Sequence, residues 1–529
     1  MNLVWLDINS SYSHSSLALP AIEACRCGDV YEWSVVSGTI GSDLYSLTNE
    51  LYVAKPNVVA ATLWLFNHEV VMRVCQRISA LMPEVRIILG GPEFNGDNEA
   101  FLRQHPYVES VFRGEGERGF HEVIGDKSRD QIVGLCYLDG EGIYHDNGLA
   151  RVADFESLPL PESSRFFNFE SPFVQIETSR GCFNSCAFCV SGGDKPIRSK
   201  SVETMAERVE SVRSHGVKDI RILDRTFNYS VARAREMLNL FRGYADMNFH
   251  LEIHPALLSD ELCRELADMP DGVLHLEAGM QSLDDKVIEA SGRIGTNVRA
   301  IQGLSRLCEM DNFETHADLI AGLPHYTLSQ IFSDVKQLAQ IGAGEIQLEL
   351  LKLLPGTKMR REATTLGIRY ASAPPYEVLQ TPDIDPFELD RARLLSRLLD
   401  RYYNSDALRE TTRELIVAEP NLLCDFLDYL IVANKLEQPI SLEKRVSMLF
   451  KFCRERMPQY LDMVSMLWIN CGFSLRREEA GDISKATELP PHIERQHNTH
   501  YYIWRGDQSR CLVCYDRSVD HSKPEIIEL

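Results

Sequence analysis

Two blocks of alternating strand and helix patterns, separated by LPLPESSRFFNFESP (158–172), restrict this 529-residue chain more than any other feature. In the first block LVWLDI (3–8) reads as a buried strand, followed by a helical stretch from about Ser15 to Cys25. DVYEWSVV, NVVAATLW, VRIILGG (85–91) and the short YVESVFRG supply further strands, with amphipathic runs such as HEVVMRVCQRISALM between them. Interleaved strands and helices predict a doubly wound parallel sheet over residues 1–150. Ligands of such sheets lie against the carboxyl ends of the strands. Here those ends are NSSYSH (9–14), Thr62 to Phe66, GGPE (90–93) and GEGE (114–117). Paired glycines let a backbone approach a bulky ligand, or they serve a tight turn that only packs.

The second block, residues 173–373, begins at FVQIETS and continues with a helix from about Val202 to His215. DIRILD (219–224), a helix from Ala232 to Arg242, FHLEIH (249–254), HLEAGMQS (275–282), THADLIAGLP (315–324) and EIQLELLKLLPGT (345–357) complete about six strand–helix units. That count predicts an open, partial (β/α)6 barrel with its chemistry at the C-terminal strand ends. Residues 151–172 read as a linker. From 374 to 529 the pattern becomes helical, with LEKRVSMLFKFCRERMPQYLDMVSMLW read as one helical stretch, and ends in a short β-rich tail after about Gly481.

Composition narrows the function classes. A net charge of −22 argues against a nucleic-acid backbone as the main partner, because phosphate binding needs clustered Lys and Arg. No apolar run is long enough for a membrane span, and the start MNLVWLDINSSYSH lacks a signal-peptide pattern. Fourteen cysteines without such a signal predict reduced thiols and a cytoplasmic location.

Three of those cysteines stand together. SRGCFNSCAFCVSGG (179–193) places Cys182, Cys186 and Cys189 at C-x₃-C-x₂-C spacing, directly after the first strand of the second block. Four close cysteines would suggest structural zinc or a closed cluster. Three thiolates on one loop can hold three irons of a [4Fe-4S] cluster and leave the fourth open, as a reactive centre requires. Zinc completed by a distant ligand, or a reduced loop, are the alternatives.

This segment resembles the radical S-adenosylmethionine (radical SAM) enzymes, whose C-x₃-C-x-φ-C signature is matched by Cys182, Cys186, Phe188 and Cys189. EAGMQS and DLIAGLP resemble later strand motifs of the same superfamily. The first block resembles the cobalamin-binding domain often fused ahead of such barrels, through KPNVVAATLWLFN, IILGGPE and VFRGEGE. NSSYSHSSLALP, ILDRTFN and PPYEVLQTPDIDPFELDRARLLSRLLDRYYNS resemble one subfamily with a C-terminal domain of unknown function. The resemblance implies a [4Fe-4S] cluster, SAM and cobalamin as cofactors. It implies reductive cleavage of SAM to a 5′-deoxyadenosyl radical and methyl transfer from methylcobalamin to an unactivated carbon of a small-molecule or peptide substrate. The electron would come from a reductant such as flavodoxin or ferredoxin. Rearrangement, cyclisation or oxidation with the same cofactors is the alternative, as is a cobalamin or SAM sensor without turnover. Methylthiolation of RNA would need three more cluster cysteines in the first block, where Cys25, Cys27, Cys75 and Cys136 are poorly spaced for it.

The resemblance carries the remaining site expectations. No D-x-H-x-x-G is present, so cobalamin would be held without a histidine from that motif, its lower face covered by loops. Tyr12, His14, Thr62, Trp64, Phe66, Gly90, Gly91, Pro92, Glu93, Gly114 and Glu115 are the expected cobalamin residues. Phe188, Asp224, Glu252, Gln281, Ser282 and Arg293 are those expected for SAM. Each has a plainer alternative: Asp224 as a turn residue, Glu252 and His254 as a buried polar network, Arg293 as a surface ion pair, His316 and Asp318 as partners of one another. In the tail, His492, His497, His500, Cys511 and Cys514 have ligand types suited to zinc, although CLVCYD also reads as a strand.

Overall fold

The computed structural model describes the chain except residues 12–15, 27–30, 126, 491–492, 498, 508 and 517–522. By its contacts the chain divides into two compact units, residues 1–327 with 350–389, and residues 328–349 with 390–529.

The first unit opens with β1 (Asn2–Asn9), α1 (Ala18–Ala24), β2 (Glu32–Thr39), α2 (Leu44–Ala54), β3 (Val58–Thr62), α3 (His68–Leu81), β4 (Arg86–Gly90), α4 (Glu99–Gln104), β5 (Ser110–Phe112) and α5 (Gly119–Ile124). The sheet order is β2-β1-β3-β4-β5, parallel throughout. Side chains alternate between two cores. Val4, Leu6, Ile8, Val59, Ala61, Ile87 and Leu89 pack with α2 and α3, whereas Leu3, Trp5, Val58, Ala60 and Ile88 pack with α1 and α5. Burial on both faces explains why β3 is apolar at nearly every position instead of alternating. Two further strands, β6 (Leu135–Leu138) and β7 (Tyr144–Asp146), extend the sheet antiparallel beyond β5. The sequence reading had omitted them: each is short, and Asp139–Gly142 joins them in a tight hairpin.

The barrel portion follows with β8 (Phe173–Ile176) and the two-residue ladder β9 (Ser179–Arg180) with β10 (Arg198–Ser199). Next come α6 (Val202–Ser214), β11 (Asp219–Ile222), α7 (Val231–Arg242), β12 (Asn248–Ile253), α8 (Asp260–Ala267), β13 (Leu274–Gln281), α9 (Asp285–Ala290), α10 (Asn297–Cys308) and β14 (Glu314–Ala321). β8, β11, β12, β13 and β14 lie side by side in chain order and run parallel. The five helices are each started by a side chain that accepts a first-turn backbone N–H: Ser201, Ser230, Ser259, Asp284 and Thr296. Val174, Ile176, Ile220, Ile222, Phe249, Leu251, Ile253, Leu274 and Leu276 pack into one core with Met205, Met237 and Leu262 of the helices. The alternate residues, Gln175, Arg221, His250, Glu252, His275 and Glu277, therefore point to the opposite face of the sheet.

After β14 come α11 (Leu328–Ile341) and β15 (Glu345–Leu350), grouped with the second unit except for Leu350. The first unit resumes with α12 (Lys358–Arg361) and the pair β16 (Arg369–Tyr370) and β17 (Val378–Gln380).

The second unit is mainly helical, with most of α13 (Pro386–Leu398), a π turn at Leu399–Tyr403, α14 (Arg409–Ala418), α15 (Leu422–Val432), α16 (Leu442–Arg456) and α17 (Leu461–Asn470). The helical stretch expected from 442 to 468 is two helices, parted where Pro458 can donate no backbone hydrogen bond. The tail is an antiparallel sheet of β18 (Asp482–Lys485), β19 (Thr499–Arg505), β20 (Arg510–Asp516) and β21 (Glu525–Glu528). Among the described residues no helix is long and apolar enough to cross a membrane.

Candidate functional site

The cysteine loop is held from both sides. Cys182 N–H donates to the Asp194 carbonyl at 2.9 Å, and Gly193 N–H donates to that of Asn184 at 2.8 Å. Gly192 lies so close beneath Cys186 that a Cβ there would fall 2.4 Å from its carbonyl oxygen. Residues 291–294 grip the loop from outside, since Ala187 N–H donates to Ser291 O at 2.8 Å and Ile294 N–H to Asn184 Oδ1 at 2.8 Å. Cys182 and Cys186 are buried and Cys189 is half-buried. Burial pushes the Cys182 thiol up, and that of Cys186 to about 11, with the Arg293 guanidinium beside both opposing the rise. Metal loading must displace those protons. Among the described residues no three His, Cys, Asp or Glu side chains converge on a single-ion position. A cluster several Å across asks for thiolates around it, not for thiolates that meet at a point.

Asp224, at the end of the second barrel strand, is fully engaged in bracing the entry to this loop. Its Oδ1 accepts from Thr178 N–H and Ser179 N–H at 2.8 Å each, and its Oδ2 accepts from the Thr178 hydroxyl. Arg293 forms no surface ion pair among the described contacts; it donates to Gly279 O at 2.6 Å. Ser282 is buried, and its hydroxyl accepts from Asp284 N–H at 3.0 Å. Gln281 takes a left-handed backbone (φ 66°) at the end of β13, and Phe188 is half-buried.

Inside the barrel, Glu252, Glu277 and Asp318 form an acidic group. Burial and then the neighbouring Glu277 push Glu252 up to about 7, and the same two causes raise Asp318 well above the carboxylate range. Glu277 is held below its usual value, chiefly by His250 Nε2 at 2.9 Å. His316 lies edge-on to His275, ring centroids 4.1 Å apart. His254 donates through Nε2 to Ile294 O at 3.0 Å, and burial lowers it to about 4. Because Glu252 holds its proton more tightly folded than unfolded, it contributes stability that is present below about pH 4.5 and lost as pH rises through about 7. Urea unfolding at pH 5 and pH 8 should therefore show Glu252→Gln gaining on the wild type at the higher pH; a difference independent of pH would contradict this.

A cavity of about 560 Å³ lies at the C-terminal ends of β1, β3, β4 and β5 and is lined on its other side by barrel residues. Of the expected cobalamin residues, Thr62, Trp64, Phe66, Gly90, Gly91, Pro92, Gly114 and Glu115 line it. Gly91 must be glycine: its φ is +107° and a Cβ would meet Leu63 O at 2.5 Å. Glu115 is shared with Arg198, 2.7 Å away, and also accepts from Val152 N–H. Glu93 does not line the cavity. Its carboxylate turns away to His68 and Tyr376, which makes it a brace instead of a wall. Tyr12 and His14 lie outside the described residues. The barrel side supplies Gln175, Glu177, Arg180 and Arg225, with Gly181 and Ser191 from the cysteine loop. The sequence reading missed these four side chains, although the alternation that marked Glu252 also marks Gln175 and Glu177. Gly114, Gly116 and Gly119 have the G-x-G-x-x-G spacing that the sequence reading took to be absent. A Cβ on Gly119 would fall 2.3 Å from the Phe112 ring, so this spacing brings α5 close onto β5.

The tail offers no zinc site among the described residues. Cys514 packs in the tail core with Leu512, and Cys511, three residues earlier on the strand, points to the other face; His492 lies outside the described residues. Cys75 and Cys136 belong to the core of the first sheet, and burial raises both thiols; Cys27 lies outside the described residues.

Residues 176–338 match the model of the radical SAM superfamily. The chain carries a radical SAM domain. Residues 364–468 match a protein family of unknown function, DUF4080. An uncharacterized methyltransferase of Pyrococcus horikoshii is 24% identical over 318 residues, 57% of this chain and 67% of its own length. The cobalamin-dependent radical SAM methyltransferase TokK of Streptomyces tokunonensis is 25% identical over 339 residues, 58% of this chain but 48% of its own. This chain thus spans between about half and two thirds of those relatives. Among solved structures, apo OxsB, a cobalamin-dependent S-adenosylmethionine radical enzyme, aligns with TM-score 0.62 at 13% identity over 87% of this chain and 80% of its own. The methyltransferase TsrM from Kitasatospora setae, with cobalamin and [4Fe-4S] cluster bound, aligns with TM-score 0.57 at 17% identity over 70% and 78%. The radical SAM domain and the sheet ahead of it share the fold of those proteins.

Proposed function

We propose that this chain is a cobalamin-dependent radical SAM methyltransferase acting on an unactivated carbon of a small molecule. One observation carries the reading: residues of the cysteine loop, Gly181 and Ser191, line the same cavity as the strand ends Thr62, Gly90–Pro92 and Gly114. Two cofactors that act on one substrate must face one space. When bound, the cluster with SAM would supply a carbon-centred radical, and cobalamin a transferable methyl group.

The chain's own residues do the rest. Cys182, Cys186 and Cys189 would hold the cluster through three irons. Arg293, fixed by Gly279 O, would offer its guanidinium to a SAM carboxylate. Glu252, neutral up to about pH 7, can donate or accept at ribose hydroxyls. Trp5, Ala21, Ile22, Ala60, Ile88 and Phe120 give the cavity an apolar wall that would keep water from a bound corrinoid. Asp224 keeps the cysteine loop in register with the strand that carries it. Relatives named as methyltransferases support methyl transfer over other radical outcomes.

The test is anaerobic reconstitution with iron, sulfide and hydroxocobalamin, followed by SAM and a one-electron reductant of the flavodoxin or ferredoxin class. About four irons and one cobalt per chain, with 5′-deoxyadenosine and S-adenosylhomocysteine formed, are expected. Iron with no cobalt would remove the methyltransferase reading, and SAM bound without cleavage would leave a sensor.

A further inference from the structure

Glu93 lies between three segments that are far apart in sequence. It follows the Gly90–Pro92 loop that lines the cavity, and its side chain is 4% exposed. One oxygen, Oε2, accepts from Tyr376 Oη at 2.5 Å and meets His68 Nδ1 at 3.2 Å. His68 begins α3, directly after the loop that presents Trp64 and Phe66 to the cavity. Tyr376 comes from PPYEVLQ, beyond the barrel.

Tyr376 is itself fixed. It is 6% exposed and its carbonyl accepts from Leu353 N–H at 3.0 Å. The Arg360 guanidinium lies 4.4 Å from the centre of its ring, and its backbone is left-handed (φ 62°), a conformation a non-glycine residue keeps only where its surroundings impose it. A second contact lies beside the first: a Cβ on Gly356, three residues after Leu353, would fall 2.6 Å from Asn95 O, so the two backbones touch.

We propose that Tyr376 is a positioning residue for the corrinoid cavity: through Glu93 and His68 it clasps the loops after β3 and β4 at the spacing that admits the ligand. The inference rests on the cobalamin reading above for the ligand, but the clasp itself does not. PPYEVLQ, which forms no part of the cavity wall, thereby acquires a task, and Glu93 contributes from behind the wall.

Two measurements on the full chain, with its cluster reconstituted, test this. Tyr376→Phe removes one hydroxyl and keeps the packing, and loss of a hydrogen bond to a buried carboxylate is expected to weaken hydroxocobalamin binding, followed by visible absorbance, about tenfold or more. Iron content and SAM binding should stay as in the wild type. In a Glu93→Ala background the same substitution should have no further effect, a non-additivity that a merely structural tyrosine would not produce. Amide hydrogen exchange then reads the clasp without any ligand: Tyr376→Phe should speed exchange in Leu63–Asn67 and Gly90–Phe94 about tenfold, relative to the barrel strands. Unchanged exchange in both loops overturns the clasp. Exchange that accelerates in Tyr376→Phe, with the wild type itself unable to take cobalamin, would sustain the clasp and refute the cobalamin reading instead. Accelerated exchange with unaltered cobalamin affinity would refute the positioning role.

Discussion

Replacing Cys186 alone by serine is expected to reduce iron in the reconstituted protein to background and to eliminate formation of 5′-deoxyadenosine. Serine is nearly isosteric with cysteine, so the fold should survive. Its hydroxyl, however, holds its proton far more tightly than a thiol, and the site already disfavours the anion: burial brings the Cys186 thiol up to about 11. Iron can displace a proton from a thiol in that position, with Arg293 beside it to favour the thiolate, but not from the alcohol. Reconstitution of the wild type should accordingly proceed faster at pH 9 than at pH 7. Cobalamin binding measured on the serine variant should persist, because Cys186 is not among the residues that line the cavity. Iron retained at about four per chain would show that the triad is not the cluster ligand set.

Periodicity carried the architecture because both sheets obey the pleat. Val58–Ala61 is apolar throughout since helices cover both faces, and His250–Glu252 against Leu251–Ile253 reads as one wet and one dry face. The cysteine triad was legible because its three thiols are local, eight positions from end to end. What escaped were relations that no local pattern records. Glu93 reads as a strand-end residue beside a glycine pair, and only a tyrosine 283 positions away shows which way its carboxylate turns. Asp224 fits either a ligand or a brace until Thr178 and Ser179, about 45 residues earlier, are seen to occupy both its oxygens. β6 and β7 are too short to carry a period of their own, and become strands by pairing with an edge already made by β5.

The linker is where a single substitution should cost most stability. Glu162, in the stretch before the barrel, has a side chain 3% exposed, and Arg208 of α6 is 2% exposed against it. Arg208 donates to Glu162 Oε1 from Nε at 3.0 Å and from Nη2 at 2.6 Å, and its Nη1 reaches Glu177 O at 2.6 Å, at the end of the strand that leads into the cysteine loop. One guanidinium thus fastens the linker, the first barrel helix and the first barrel strand. Removing either partner leaves a charge stranded away from water, so Glu162→Ala or Arg208→Ala should each lower unfolding free energy by about 3–5 kcal/mol in urea titrations. Glu162→Leu with Arg208→Met should recover a large part of that loss, since a buried ion pair replaced by apolar groups of similar size often costs little. The double variant would still lack the bond to Glu177 O, and its SAM cleavage should fall further than its stability. If each single variant lost less than about 1 kcal/mol, the pair would be behaving as a solvated surface bridge, and the linker would be free of the barrel in solution. If instead both singles lost several kcal/mol and the double lost their sum, the cost would lie in packing volume and not in the stranded charge.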